Sequence, residues 1–165
     1  MLIRPCAPGE ELALLAIFRS SVHGLAARDY TPEQIEAWAP PEPDPALRAQ
    51  WIERIRTNRP WVVEVDGRLA GFADLQPSGY IDQFFVDAGF AGRGIGAALM
   101  RHLLEAARAQ GITTLSAHVS LTAQPFFRGF GFVVEREQEP VVRGVALRNA
   151  RMSRHLPAGS ESAHP

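Results

Sequence analysis

The strongest constraint in this sequence is a change of period across a run of glycines. Tyr80-Ile81-Asp82-Gln83-Phe84-Phe85-Val86 is a largely apolar run of strand character. Ile95, Leu99, Leu103 and Ala106 then recur at the spacing of a one-faced helix. Between them stands Asp87-Ala88-Gly89-Phe90-Ala91-Gly92-Arg93-Gly94-Ile95-Gly96, with four glycines in eight residues. A strand that turns through bare glycines into a helix aims several backbone N–H groups at one place, and the helix dipole adds about half a positive charge there. Such a turn is a cradle for an anion, with Arg93 as an added cationic contact. The bland alternative is a turn that serves only close helix packing.

Three phosphate-binding readings compete for this loop. All 17 basic residues are Arg and none is Lys, which removes the P-loop, Schiff-base lysines and any lysine nucleophile. A dinucleotide fingerprint needs Gly-x-Gly-x-x-Gly at the first strand-helix turn and an acid about 20 residues on. Here the spacing is Gly92-x-Gly94-x-Gly96, the loop falls mid-chain after an antiparallel hairpin, and Ile112 to Ser116 offers no acid. A nicotinamide-dependent oxidoreductase therefore stands only as an alternative.

At 165 residues the chain is long enough to bury roughly 70% of its unfolded surface without disulfides or structural metal. One thiol, Cys6, closes no internal bridge, and no His/Cys/Asp/Glu grouping has metal-ligand spacing. A net charge of -1 with Arg spread from Arg4 to Arg154 gives no basic stripe for nucleic acid. The apolar run Leu12 to Phe18 follows two glutamates rather than a basic segment, and no run approaches the length of a membrane span. These features lead us to expect a cytoplasmic protein with no nucleic-acid or membrane partner, a monomer or a homodimer.

The rest of the chain reads as helices first and strands later. Leu12, Leu15, Ala16, Phe18, Val22 and Leu25 predict a first helix. Thr31-Pro32-Glu33-Gln34 and Asp44-Pro45 each give a cap followed by proline at the first helical position. Trp61 to Val65, Asp66-Gly67 and Arg68 to Leu75 form a hairpin signal. Strands are predicted at Ile112 to Val119, Phe130 to Gln138 and Val141 to Met152, with a short helix from Thr122 to Gly129. Residues 1–156 read as a single domain, and the composition of 157–165 predicts a disordered tail.

With these segments in place the sequence resembles the GNAT N-acetyltransferase superfamily. Ala91-Gly92-Arg93-Gly94-Ile95-Gly96 is similar to that family's Gln/Arg-x-x-Gly-x-Gly/Ala loop. Ser120-Leu121-Thr122-Ala123-Gln124-Pro125-Phe126-Phe127-Arg128-Gly129-Phe130-Gly131-Phe132 resembles its Asn/Ser-x-x-Ala-x-x-Phe-Tyr-x-x-x-Gly-Phe segment. The resemblance implies a mixed α/β (α+β) fold, with a mostly antiparallel sheet of six or seven strands flanked by four or five helices. It implies an acyl-CoA N-acyltransferase domain that moves an acetyl group from acetyl-CoA, as co-substrate and with no metal, to a primary amine of a small molecule or peptide. Carried over by residue, Phe84, Phe85 and Val86 meet the pantetheine arm, Ala91 to Ala97 (Ala91, Gly92, Arg93, Gly94, Ile95, Gly96, Ala97) meet the pyrophosphate, and Ser120 and Phe127 complete the coenzyme site. Two positions depart from the pattern. Ala91 stands where the family has Gln or Arg, and Phe127 stands where many members have the Tyr that protonates the leaving thiolate.

The remaining candidates concern proton transfer. Alternation places Tyr80, Asp82, Phe84 and Val86 on one face of the strand, which makes Asp82 the first choice of general base, directly or through a water. Tyr80 and Tyr30, the only tyrosines, are candidates to replace the acid lost at Phe127. His118 is a possible relay, and Asp74 and the group His23, Arg28, Asp29 and Tyr30 are possible acceptor contacts. A non-catalytic acyl-CoA-binding sensor is the alternative from a different class.

Overall fold

The computed structural model describes residues 1–157. A first strand, β1 (Leu2–Pro5), leads into three helices, α1 (Glu11–Leu25), α2 (Pro32–Trp38) and α3 (Pro45–Asn58). Thr31 accepts from Gln34 N while the Gln34 side chain accepts from Thr31 N, so α2 starts in a complete capping box. Asp44 accepts from Leu47 N at the head of α3, and Pro32 and Pro45 occupy first-turn positions where no N–H is missed. The hairpin β2 (Trp61–Val65) and β3 (Arg68–Ala73) closes at Asp66-Gly67 as its sequence predicts. There follow β4 (Tyr80–Ile81), β5 (Phe84–Val86), α4 (Ile95–Ala109), β6 (Thr114–Ser120), α5 (Gln124–Gly129), β7 (Val133–Gln138), β8 (Val141–Val142), β9 (Val145–Ala146) and β10 (Asn149–His155).

The class is the mixed α+β one expected, with five α-helices among the described residues. The sheet, however, is divided. One half runs β1-β2-β3-β5, the other β4-β6-β10-β7, and β8-β9 is a separate ribbon. Every pairing is antiparallel except β4 with β6. The halves meet along 80–86, which is two short strands rather than the continuous one expected.

A buried side chain explains the break. Asp74, fully buried, accepts from the amides of Asp82 at 2.9 Å and Gln83 at 2.8 Å, and from the Gln76 side chain at 2.8 Å. Amides held by a carboxylate cannot continue a ladder. Tyr80 and Ile81 therefore pair with Ser116 and Ala117 of β6, whereas Phe84, Phe85 and Val86 pair with Ala73, Phe72 and Gly71 of β3. The extra residue at the kink also reverses the alternation. Phe84 and Val86 pack into the cluster built on α4, while Phe85 packs with Phe18 of α1 and Phe72. The expectation that Phe84 and Val86 share a face with Tyr80 and Asp82 is thus overturned by the kink at 82–83.

A second correction concerns 141–152, expected as one strand. Arg143 and Gly144 both adopt positive φ, 48° and 81°, and fold the segment into the β8-β9 ribbon before β10 begins. The core lies on both faces of the first half-sheet: Val63 packs with Leu99 and Leu103 of α4, and its neighbour Val62 with Leu14, Ile17, Trp51 and Ile55 of α1 and α3. No helix among the described residues is long and apolar enough to cross a membrane. Apart from Pro157, the tail expected to be disordered lies outside the described residues.

Asp74→Ala leaves two interior amides without partners and should destabilise the fold by about 2–4 kcal/mol. Urea unfolding reads this as a lower midpoint, and a midpoint equal to that of the parent would show that the kink does not depend on the carboxylate.

Candidate active site

Two features meet on β5 from opposite sides. The first is an open edge. Asp74 N donates to Gln83 O at 3.2 Å and Asp87 N to Ala70 O at 2.8 Å, so Gln83, Phe85 and Asp87 turn their backbone groups toward β3. By antiparallel alternation the backbone groups of Phe84 and Val86 face the other way, where β6 has already diverged. This leaves an open notch along the edge of β5, between the two half-sheets.

The glycine loop continues from that edge. Ala91 N donates to Ala88 O, and the next backbone donor is Ala98, to Gly94 O at 3.0 Å. The amides of Gly92, Arg93, Gly94, Ile95, Gly96 and Ala97 donate to no carbonyl of the described chain. Gly92 and Gly94 have φ of 77° and 80°, conformations that curl successive N–H groups into a concave nest at the head of α4. A Cβ at either position would meet nothing within 4 Å, so the loop's inner surface is open. Its anion-holding capacity is therefore backbone chemistry plus helix dipole. Three expected members differ in detail. The Ala91 amide is already bonded, the Ile95 side chain is buried in the core, and the Arg93 guanidinium lies 5.1 Å from the centre of the Phe90 ring. Phe127 is buried, with ring centroids 5.7 Å from Phe84 and 5.0 Å from Phe132.

On the other side of β5 is a cavity of about 490 Å³ between α1, α2, α3, β4, the end of β6 and the β8-β9 ribbon. Asp82, Tyr80, Tyr30, Phe85, Ser120 and His118 all line it. The three catalytic candidates and Ser120 are therefore brought together, and Phe85 faces this cavity rather than the notch side. Asp74 is buried beneath the cavity, and of the group 23, 28, 29 and 30 only Tyr30 reaches its wall.

Asp82 is clamped by groups from α3. Arg54 donates from Nε at 2.7 Å and from a terminal nitrogen at 3.0 Å, and Asn58 donates at 2.7 Å. Burial pushes the Asp82 carboxyl up, but the bonds from Arg54 and Asn58 outweigh it and hold the group below the usual carboxylate range. Asp82 is thus a fixed anion of low basicity. Beside it, burial and the Asp82 charge raise the Tyr80 phenol, so it keeps its proton at neutral pH. The Tyr80 ring stands edge-on to His118 at 5.7 Å. Burial, then Arg151 and Arg136, lower the His118 imidazolium, which favours the neutral ring. Its Nδ1 lies 2.6 Å from Gln138 Nε2; with that amide as donor, the ring proton sits on Nε2. Tyr30 is committed elsewhere: its hydroxyl donates to Arg148 O and accepts from Leu121 N at 2.9 Å. Ser120 Oγ accepts from Ala123 N at 3.2 Å, which caps the turn into α5.

Sequence reasoning did not find Arg54 and Asn58. They stand one helical turn apart on α3, a spacing visible in the sequence, but nothing local names Asp82 as their target.

The comparisons agree with this geometry. A family model described as an acetyltransferase (GNAT) domain matches residues 26–154. The uncharacterized N-acetyltransferase YafP of Escherichia coli K12 is 32% identical over 150 residues, spanning 91% of this chain and 93% of that protein. A crystal structure of a GCN5-related N-acetyltransferase from Rhodopseudomonas palustris superposes with a TM-score of 0.87 at 30% identity, covering 94% of this chain and 95% of that one. The fold is also that of yncA from Salmonella typhimurium, solved with acetyl-CoA, at a TM-score of 0.65 and 22% identity over 100% of this chain and 97% of that one. A divided sheet with an open strand edge, a nest of free amides at a helix head and these matches together show that the chain belongs to the GNAT acetyltransferase family.

Proposed function

We propose that the chain transfers an acetyl group from acetyl-CoA to a primary amine by direct attack in a ternary complex. The observation that carries this reading is the run of undonated amides from Gly92 to Ala97, set beside the unpaired edge of Phe84 and Val86. A pyrophosphate needs several converging donors, and a pantetheine arm, with its alternating amides, needs a free strand edge. The family resemblance assigns Ser120, at the end of β6, a side-chain contact to that arm, although Ser120 lines the cavity. The thioester supplies the activated acyl group; the chain's own residues position the amine, manage protons and stabilise the oxyanion.

An amine must be neutral to attack. In the proposed mechanism Asp82, ionised and held in place by Arg54 and Asn58, accepts the ammonium proton through a water and passes it on to solvent, as its low basicity requires. As the C–N bond forms and the C–S bond breaks, an amide on the open edge of β5 donates to the oxyanion. Tyr80 is the proton source for the leaving thiolate, because its phenol is protonated and its hydroxyl is not committed as that of Tyr30 is, and the second proton lost by the acylated nitrogen restores the phenol. The proposed setting is cytoplasmic. Phe127 favours one second reading, a non-catalytic acyl-CoA sensor that binds the coenzyme and releases no thiol with any amine.

Calorimetry should find micromolar binding of acetyl-CoA, about -8 kcal/mol, with no comparable binding of NADH in the same buffer. Gly94→Val, which forces a branched side chain into positive φ at the nest, should weaken that binding at least about tenfold. Equal binding by parent and variant would remove the nest from the coenzyme site.

Asp82→Asn should lower kcat by about a hundredfold or more and leave acetyl-CoA affinity unchanged. The sign of the pH dependence follows from the group: the base works ionised, so activity falls as pH drops through its pKa. With Asp82 held below the usual carboxylate range, the enzyme contributes no acid limb above about pH 4. The rise in kcat/KM at higher pH then belongs to the substrate amine alone. A second limb just below the ordinary imidazole range would give the base role to His118 instead.

A further inference from the structure

We propose that the amine acceptor is a small zwitterion, an amine that also bears a carboxylate on an apolar body, and that Arg19 anchors the carboxylate. The proposal rests on the acetyltransferase reading and names the substrate class for it.

Three buried side-chain atoms among the described residues find no hydrogen-bond partner: Arg19 Nε, Gln83 Nε2 and Asn149 Oδ1. All three side chains line the same cavity. A buried polar group left unpaired is costly, and three in the lining of one cavity point to something that pairs with them. Gln83 is 2% exposed, and its Oε1 accepts from Asn58 Nδ2 at 3.2 Å, so the amide orientation is set and its N–H₂ end is the one left over. Two donors and one acceptor in one lining suit a ligand that offers an acceptor to Arg19 and Gln83 and a donor to Asn149. A molecule with a carboxylate and an amine meets both demands.

The charges around the cavity lead to the same class. Four arginines line it, Arg19, Arg54, Arg143 and Arg148, against a single carboxylate, Asp82. Arg54 already neutralises Asp82. Arg143 donates to Ala37 O, and Arg148 reaches the exposed Glu137 only at 4.0 Å. Arg19 has no acidic partner among the described residues. The cavity is therefore cationic in a chain whose net charge is -1. A plain amine, itself a cation at neutral pH, is repelled from such a site, whereas an amine with its own carboxylate enters with its charge balanced. The walls between the polar groups are Phe18, Trp38, Trp51, Phe85 and Leu147, which suit an apolar or aromatic body. The volume is that of a small-molecule site.

The test compares each of the twenty protein amino acids with its own carboxamide as acceptor, following thiol release from acetyl-CoA while acetyl-CoA binding is measured on the same preparation. The carboxamide removes the charge, keeps the shape and carries the less basic amine, so chemistry alone favours it. The expected result is kcat/KM higher by about thirtyfold or more for at least one apolar or aromatic acid over its carboxamide. Arg19→Gln should collapse that preference and leave acetyl-CoA affinity unchanged. The parent comparison stands even where Arg19→Gln fails to fold, and the exposed Arg148→Gln should lower the preference in the same direction.

Carboxamides or plain amines used as well as the acids would overturn the proposal and leave the acetyltransferase reading intact. So would bound acetyl-CoA with no acid acetylated. If acetyl-CoA does not bind, the acetyltransferase reading fails by itself. The anion site is then read from the fluorescence of Trp38 and Trp51 in its wall: saturable quenching by an acid but not by its carboxamide keeps it, and no quenching by any acid removes it.

Discussion

The Asp74 carboxylate gripping the amides of Asp82 and Gln83 is the interaction on which the functional architecture turns. That grip takes the amides of Asp82 and Gln83 out of any ladder. With it, the strand belongs first to one half-sheet and then to the other, and the gap between β5 and β6 opens beyond the kink. The same kink sets Asp82 beside Arg54 and Asn58 while turning Phe84 and Val86 to the face covered by α4. One buried carboxylate thus separates an edge suited to a coenzyme arm from a cavity suited to an acceptor. Burial raises the Asp74 carboxyl even against its donors, the electrostatic cost of placing such a group in the core.

The two sides of β5 hold charge in different ways. At the head of α4 it is backbone charge: free N–H groups and a helix dipole, with Arg93 turned onto Phe90. In the cavity it is side-chain charge from arginines on α1, α3 and the segment around β8 and β9, backed by aromatic rings. A polyanion over the nest and a compact zwitterion in the cavity are complementary to these two devices. Tyr30 ties the cavity side together, since its hydroxyl joins the backbone at Arg148 to that at Leu121 and fixes the approach of β10 to the end of β6.

Much of this was legible locally. The caps at Thr31 and Asp44, the turn at Asp66-Gly67 and the strand-glycine-helix switch from Val86 to Ile95 are short-range chemistry, and each element formed where its residues predict it. The family resemblance rested on the same kind of signal. The errors came where a distant residue intervened. Alternation through Phe84 and Val86 failed because Asp74, several residues away and beyond a turn, holds the intervening amides. The single strand expected from Val141 failed because Arg143, a residue with no strong turn preference, takes positive φ beside Gly144.

Sequence alone determined the class of fold, the amide nest and the absence of lysine chemistry, because glycine spacing, capping residues and composition act within a few residues or over the whole chain without regard to topology. Only the tertiary structure decided which side chains meet. Arg54 and Asn58 with Asp82, and Arg19 with Gln83 and Asn149 around one cavity, are pairs and groups drawn from helices and strands far apart in the chain. The physical reason is that burial and hydrogen-bond competition are settled by packing. Packing alone made Asp82 a clamped anion and Tyr30 a structural tie, and left Arg19 Nε without a partner among the described residues.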